Sequence, residues 1–211
     1  MKLRSHFIRY IALSSIIALL LGVVFYQKMV VTQALDIQHF FWLFFLIVNC
    51  IVLIYLGIVD FVSFEVPDLL TKVYIGILIT INIGLMLLGG LHTEHLLWES
   101  TAFIPIHNLI GGFSAGSFFY FLVTATKEKA MGAGDIRIAC IMGLLLGISK
   151  LLVAFYITIL SACLVGLVYA GYKKQFKGLK IPFVPFMVFG TITSIIFYDA
   201  ILIILQSRGL V

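Results

Sequence analysis

From Phe40 to Val59 the chain runs without a single charged residue. A helix that crosses a bilayer needs roughly 20 apolar residues, so this one run already makes a water-soluble fold a poor fit. It has company. Seven apolar segments can be read in order: Tyr10–Tyr26, Phe40–Val59, Val73–Leu91, Ala102–Thr124, a short Ile136–Ser149, Leu151–Gly171, and a stretch from Ile181 that fades after Tyr198. Apolar residues make up 63% of the chain and charged ones 11%, against about 45–50% and about 25% in soluble domains. A soluble domain, a disordered tail and a nucleic-acid binder are thereby excluded. The expected fold is an all-α integral membrane protein, a polytopic bundle of about seven transmembrane helices. No repeat, linker or domain boundary interrupts it, so residues 1–211 read as one membrane domain, with 1–38 as an added N-terminal span and outer loop and 39–200 as the core.

Basic residues set the expected orientation, because Lys and Arg collect on the cytoplasmic side. With the N-terminus cytoplasmic, eleven of the fourteen fall inside, and only Lys28, Lys150 and Arg208 fall outside. The net charge of +5 is therefore a topology signal. Trp42 and Trp98 would then lie near the outer interface. The first segment follows Lys2, Arg4 and Arg9 and has the look of a signal peptide, but its apolar core is long and the following VTQALD is a poor cleavage site, so a retained span is expected. Cys50, Cys140 and Cys163 stand singly in apolar runs and read as small buried residues, without the paired spacing of a disulfide framework or a zinc site.

Acids stand out against this background. Asp60 ends the second segment, and Asp135 opens the fifth. Two complete spans separate them, and an even number of crossings returns the chain to the same face. Both carboxylates should therefore lie at the cytoplasmic boundary. Asp135 closes Gly132-Ala133-Gly134-Asp135, where glycines permit positive φ and close approach to a ligand and a helix N-terminus favours an anion; a plain loop with an Asp cap would look the same. An acid at the end of an apolar span is costly unless paired, hydrated or useful, so Asp60 reads as either a functional group or an interfacial charge. Pro67 and Asp68 suit the first turn of the third helix. Glu65 reads as a solvated loop charge or as an attractor for a basic substrate. Pro182 and Pro185, three apart in Ile181-Pro182-Phe183-Val184-Pro185-Phe186, form either a rigid helix start or a wall beside the cytoplasmic site.

Taken together and in this order, these stretches resemble the type IV prepilin peptidases and archaeal preflagellin peptidases, membrane aspartic proteases of the GxGD class. The resemblance covers roughly Phe40 to Gly190. It aligns Asp60 with that family's first aspartate, Val66-Pro67-Asp68 with its Ile-Pro-Asp-like stretch, Asp135 with its GxGD aspartate, and Ile181–Phe186 with its late Ile-Pro-Phe-Gly-Pro-Phe stretch, Val184 replacing a frequent Gly. It implies an Asp60/Asp135 pair that shares a proton and activates water without metal or cofactor, Gly132, Gly134, Glu65, Pro182 and Pro185 around it, and pilin-like precursors as substrates, cleaved between a basic leader and an apolar helix at the cytoplasmic face of the plasma membrane. Larger bacterial members carry a cytoplasmic N-terminal domain, often with CxxC pairs, linked to N-methylation; nothing before Asp60 matches it, so a short form without methyltransferase is expected. Presenilins share GxGD, but their Tyr-Asp pair and Pro-Ala-Leu motif are not seen here.

Other polar residues fit less specific roles. His92-Thr93-Glu94-His95 is not the HExxH pattern of zinc peptidases. His107 and Asn108, inside the fourth segment, are expected to hydrogen-bond between helices, and Gly112 and Gly116 to pack helices within the bundle. Asp199 reads as interfacial. The alternative function class is a small transporter or channel with boundary carboxylates as a proton or ion relay, which would favour acids near the midplane and broken helices there. The bilayer is the expected medium, nucleic acid is not an expected partner, and the sequence leaves the oligomeric state open.

Overall fold

A computed structural model of the chain describes residues 37–87, 105–127, 131–173 and 181–207. All regular structure among these residues is helical: α1 (Ile37–Ser63), α2 (Asp68–Leu87), α3 (Pro105–Thr126), α4 (Ala133–Lys173) and α5 (Val184–Ser207). The first four are long and apolar enough to cross a membrane, and α5 has a shorter apolar part, Val184–Tyr198. The helical choice follows from the medium such sequences suit, since in hydrocarbon every backbone polar group must find its partner within the chain. Leu87, Phe113 and Tyr172 are each more than three-quarters exposed, which water would penalise and lipid would not. The first apolar segment, the His92–His95 loop, Trp98 and the Lys174–Lys180 loop lie outside the described residues.

Packing centres on α4, which contacts α2, α3 and α5, while α1 packs on α5. Two expected segments, Ile136–Ser149 and Leu151–Gly171, form this one element, interrupted only at Gly147 (φ 66°, ψ 177°). The break sits three residues before Lys150, the charge that suggested it, because a backbone that leaves the helical region at positive φ needs glycine more than it needs polarity. Contacts on either side of Gly147 show that the chain turns back there. On the first arm, a Cβ built on Gly116, Gly112 or Gly111 would meet Cys140, Leu144 or Gly143 respectively, so this arm runs antiparallel to α3. On the second arm, Ser194 Oγ donates to the Lys150 carbonyl at 3.0 Å, Gly190 faces Ala154 and Thr158, and Gly166 comes near Ile181. This arm therefore runs antiparallel to α5 and ends where α4 began.

Close approach is concentrated in the α3–α4 seam. A Cβ on Gly143 would collide with the Gly111 carbonyl oxygen, and one on Gly112 would lie 2.6 Å from Leu144 Cγ. Gly112 and Gly116 thus serve packing within the chain. Asn108 is buried against Gly147, and its Nδ2 has no partner among the described residues; His107 is exposed. Among the described residues neither side chain makes the expected hydrogen bond between helices; Asn108 packs where Gly147 leaves room. All three cysteines are free, but only Cys50 is buried, and Cys163 is exposed on the apolar face of the second arm.

Candidate active site

Asp60 lies in the last turn of α1 and is 7% exposed. The helix closes just beyond it, where Phe64 takes positive φ (54°) and donates its N–H to the Asp60 carbonyl at 2.9 Å. The Asp60 side chain reaches another helix. Its Oδ2 accepts from the Val184 N–H at 3.3 Å. Val184 begins α5, and Phe183 caps that helix, its carbonyl accepting from Phe186 and Met187. The first N–H groups of a helix have no partner within it, and Asp60 supplies one. The prolines divide the labour. Pro182 lines the cleft described below. Pro185 sits in the first turn of α5, where a missing N–H costs nothing, and its Cα lies 3.6 Å from a Cβ built on Gly57.

Asp135, 9% exposed, is held by its own helix start. Gly132 is the N-cap of α4 and Asp135 the third residue inside. The Gly132 N–H donates to Asp135 Oδ2 at 3.0 Å, and the Asp135 N–H donates to the Gly132 carbonyl at 3.1 Å. This is the returning half of a capping box, in which an acid three residues in satisfies the cap's N–H. The three-residue spacing of Gly132 and Asp135 is therefore a capping geometry. Neither glycine uses positive φ; among the described glycines only Gly147 does. Gly134 is required for a different reason, since a Cβ there would lie 2.9 Å from Val66 Cγ2, whereas Gly132 has open space around it.

These two helix ends face each other across a cleft of about 1000 Å³, at the upper end of the range typical of ligand pockets. Asp60, Asp135, Gly132, Gly134, Glu65 and Pro182 all line it; Pro185 does not. The two carboxyls interact electrostatically, yet no hydrogen bond joins them among the described residues, each instead accepting a backbone N–H. Glu65 is exposed at the rim. Among the described residues no group of three or more His, Cys, Asp or Glu could share a metal ion.

Arg137 also lines this cleft, and sequence reasoning counted it only as a topology charge. Its guanidinium pairs with Asp68 Oδ1 and donates to Thr71 Oγ1 at 3.3 Å. Asp68, the first residue of α2, also pairs with Lys72 at 2.8 Å. The helix-start reading of Asp68 therefore stands, but it omits the link to α4. Opposite charge is the one sequence signal for that link, and a separation of 69 positions makes it unreadable without the fold.

Known proteins complete the picture. A profile of the type IV leader peptidase family matches residues 47–171, which take in both aspartates and the whole of the first arm of α4. The prepilin leader peptidase/N-methyltransferase of Bacillus subtilis is 29% identical over 91 residues, covering 43% of this chain and 37% of that protein. The chain thus matches well under half the length of that relative. No solved structure matches. With Asp60, the Gly132–Asp135 turn and most of the residues that line the cleft inside the matched region, the chain belongs to the type IV leader peptidase family.

Proposed function

We propose that this protein is an aspartic endopeptidase that removes the basic leader from type IV pilin-like precursors. One observation carries the reading: two buried carboxyls, one from α1 and one from α4, line a single cleft. Two carboxyls facing one site do not readily ionise together, so the pair shares a proton. The ionised member takes a proton from water as the water oxygen attacks the scissile carbonyl. The protonated member donates to the carbonyl oxygen, and a proton then passes to the leaving amine as the C–N bond breaks. The two titrations belong to the pair, so base and acid are not assigned to one residue each.

In this reading the protein has seven spans with its N-terminus in the cytoplasm, and the cleft opens at the cytoplasmic face of the plasma membrane. Support comes from the eleven-to-three distribution of Lys and Arg and from the return of both acids to one end of the bundle. A precursor with a cytoplasmic basic leader and an apolar helix would present its junction there. Exposed Glu65 at the rim suits the basic segment.

The test is cleavage of a panel of pilin-like precursors by the full chain in lipid, read by mass spectrometry, with Asp60→Asn and Asp135→Asn in parallel. Cleavage after the basic leader, lost in both variants, is the expected result. Folded protein that leaves every precursor intact, or that cleaves equally well as Asp60→Asn, would sink the reading.

A further inference from the structure

The cleft holds one group that the water-activation chemistry leaves unused. Arg137 is two residues beyond Asp135, and its side chain reaches the first turn of α2, pairing with Asp68 Oδ1 and donating to Thr71 Oγ1 at 3.3 Å. Thr71 is fully buried and donates in turn to the Pro67 carbonyl at 3.0 Å and to the Asp68 carbonyl at 3.1 Å. The guanidinium therefore grips the backbone turn that starts α2. Three residues earlier in α4, Gly134 lies close against Val66, just ahead of that same turn. Contacts on both sides of Asp135 thus tie the first turn of α4 to the residues 66–71.

Among the described residues, Asp135 itself has no such tie. Its carboxyl is held by Gly132, within its own turn, whereas Asp60 is held by α5 through Val184. The relative placement of the two carboxyls then depends on where the first turn of α4 sits. Among the described residues, the polar contacts from that turn to another helix are those of Arg137. We propose that Arg137 is a positioning residue, whose grip on Asp68 and Thr71 sets the first turn of α4 so that Asp135 faces Asp60.

The inference rests on the proposed dyad, and its test separates the two. The full chain in lipid would be assayed as Arg137→Ala, Arg137→Lys, Asp68→Ala, the Arg137→Ala/Asp68→Ala double variant and Lys72→Ala. Displacing a catalytic group by about 1 Å costs on the order of 100-fold in rate. Arg137→Ala and Asp68→Ala should each lower kcat by roughly 10- to 100-fold with KM little changed. The double variant should be no worse than either single one. Arg137→Lys should recover most of the activity, and Lys72→Ala should behave as wild type. Hydrogen exchange gives a readout that needs no turnover: the Gly132–Arg137 amides should exchange faster in Arg137→Ala and Asp68→Ala, and not in Lys72→Ala. Unchanged exchange would overturn the inference even if the protein cleaves nothing, and so would a rise in KM confined to Arg137→Ala, which would make Arg137 a substrate contact. If Arg137→Ala does not fold, Asp68→Ala and Arg137→Lys carry the same exchange test. The aspartate variants judge the dyad separately.

Discussion

The α3–α4 seam and the cleft end of the bundle are built on opposite terms. Along the seam, backbone meets backbone: Gly111, Gly143 and Gly147 approach so closely that no side chain fits between them. At the cleft, helix ends are joined by a few polar contacts, Val184 to Asp60 and Arg137 to Asp68 and Thr71. Helices gain little from hydrophobic association within lipid, so close packing over small residues has to hold them together. The seam supplies that packing. The cleft end instead keeps two buried carboxyls in an open space, where neither neutralises the other through a hydrogen bond. Buried acids without a counter-charge oppose stability, and such groups persist where function needs them. Stability and chemistry are thus expected to fail separately at the two regions.

The largest effect should come from the cleft. General acid and base groups contribute about 100- to 10,000-fold to rate, so Asp60→Asn or Asp135→Asn should remove at least that much cleavage. Thermal stability in detergent or lipid should be unchanged or higher, because a buried charge-bearing group has been replaced by a neutral one that can still accept a hydrogen bond. Equal losses of stability and activity would break the division between the regions.

The seam should show the reverse. Gly143→Ala puts a methyl group on the Gly111 carbonyl, and forced overpacking costs about 1–3 kcal/mol. Its melting temperature should fall, with activity lost in parallel with folded protein. Gly76, on an exposed face of α2, has nothing within 4 Å of a built Cβ. Gly76→Ala should therefore stabilise the helix by about 0.5–1 kcal/mol. Melting temperatures that do not distinguish the two substitutions would mean that the seam is not what holds the bundle.

Gly134→Ala lies between these cases, since its Cβ would meet a side chain 2.9 Å away, not backbone. It should reduce activity severalfold more than it reduces stability, and Val66→Ala should restore much of the loss, because removing Val66 Cγ2 clears the methyl group. No rescue by Val66→Ala would place the cause elsewhere in the cleft.

The sequence carried the apolar helices and the return of Asp60 and Asp135 to one end of the bundle, because both depend on local runs and on counting crossings. Phe40–Val59 declares itself by composition, and α2 begins at Asp68 as Pro67 and Asp68 suggested. What did not show was contact between distant residues. Nothing near Gly134 announces Val66, and nothing near Arg137 announces Asp68 and Thr71. Lys150 marked a break that belongs to Gly147, because a charge is easy to see and a backbone angle is not. For the glycines of Gly132–Asp135 the sequence left positive φ, close approach and an Asp cap open together; the structure has capping and close approach to Val66, and no positive φ at either glycine.

Gly132 gives the smallest and sharpest of these effects. Its roles are to accept from and donate to Asp135 through its backbone, and a Cβ there would meet only the Gly134 nitrogen, at 3.9 Å. Serine is among the best N-cap residues and differs from glycine there by only a few tenths of a kcal/mol. Gly132→Ser should therefore leave stability nearly unchanged and cleavage within about twofold of wild type. Gly132→Ala, which suits an N-cap less well than either glycine or serine, should cost somewhat less than the roughly 0.5–2 kcal/mol of a serine-to-alanine change at a cap. If Gly132→Ser folds normally and no longer cleaves, the open space beside Gly132 is filled by substrate during the reaction, and the glycine is needed for the approach of a ligand backbone. Comparing kcat and KM for the serine variant with those for Gly134→Ala would then tell a glycine that makes room for substrate from one that makes room for Val66.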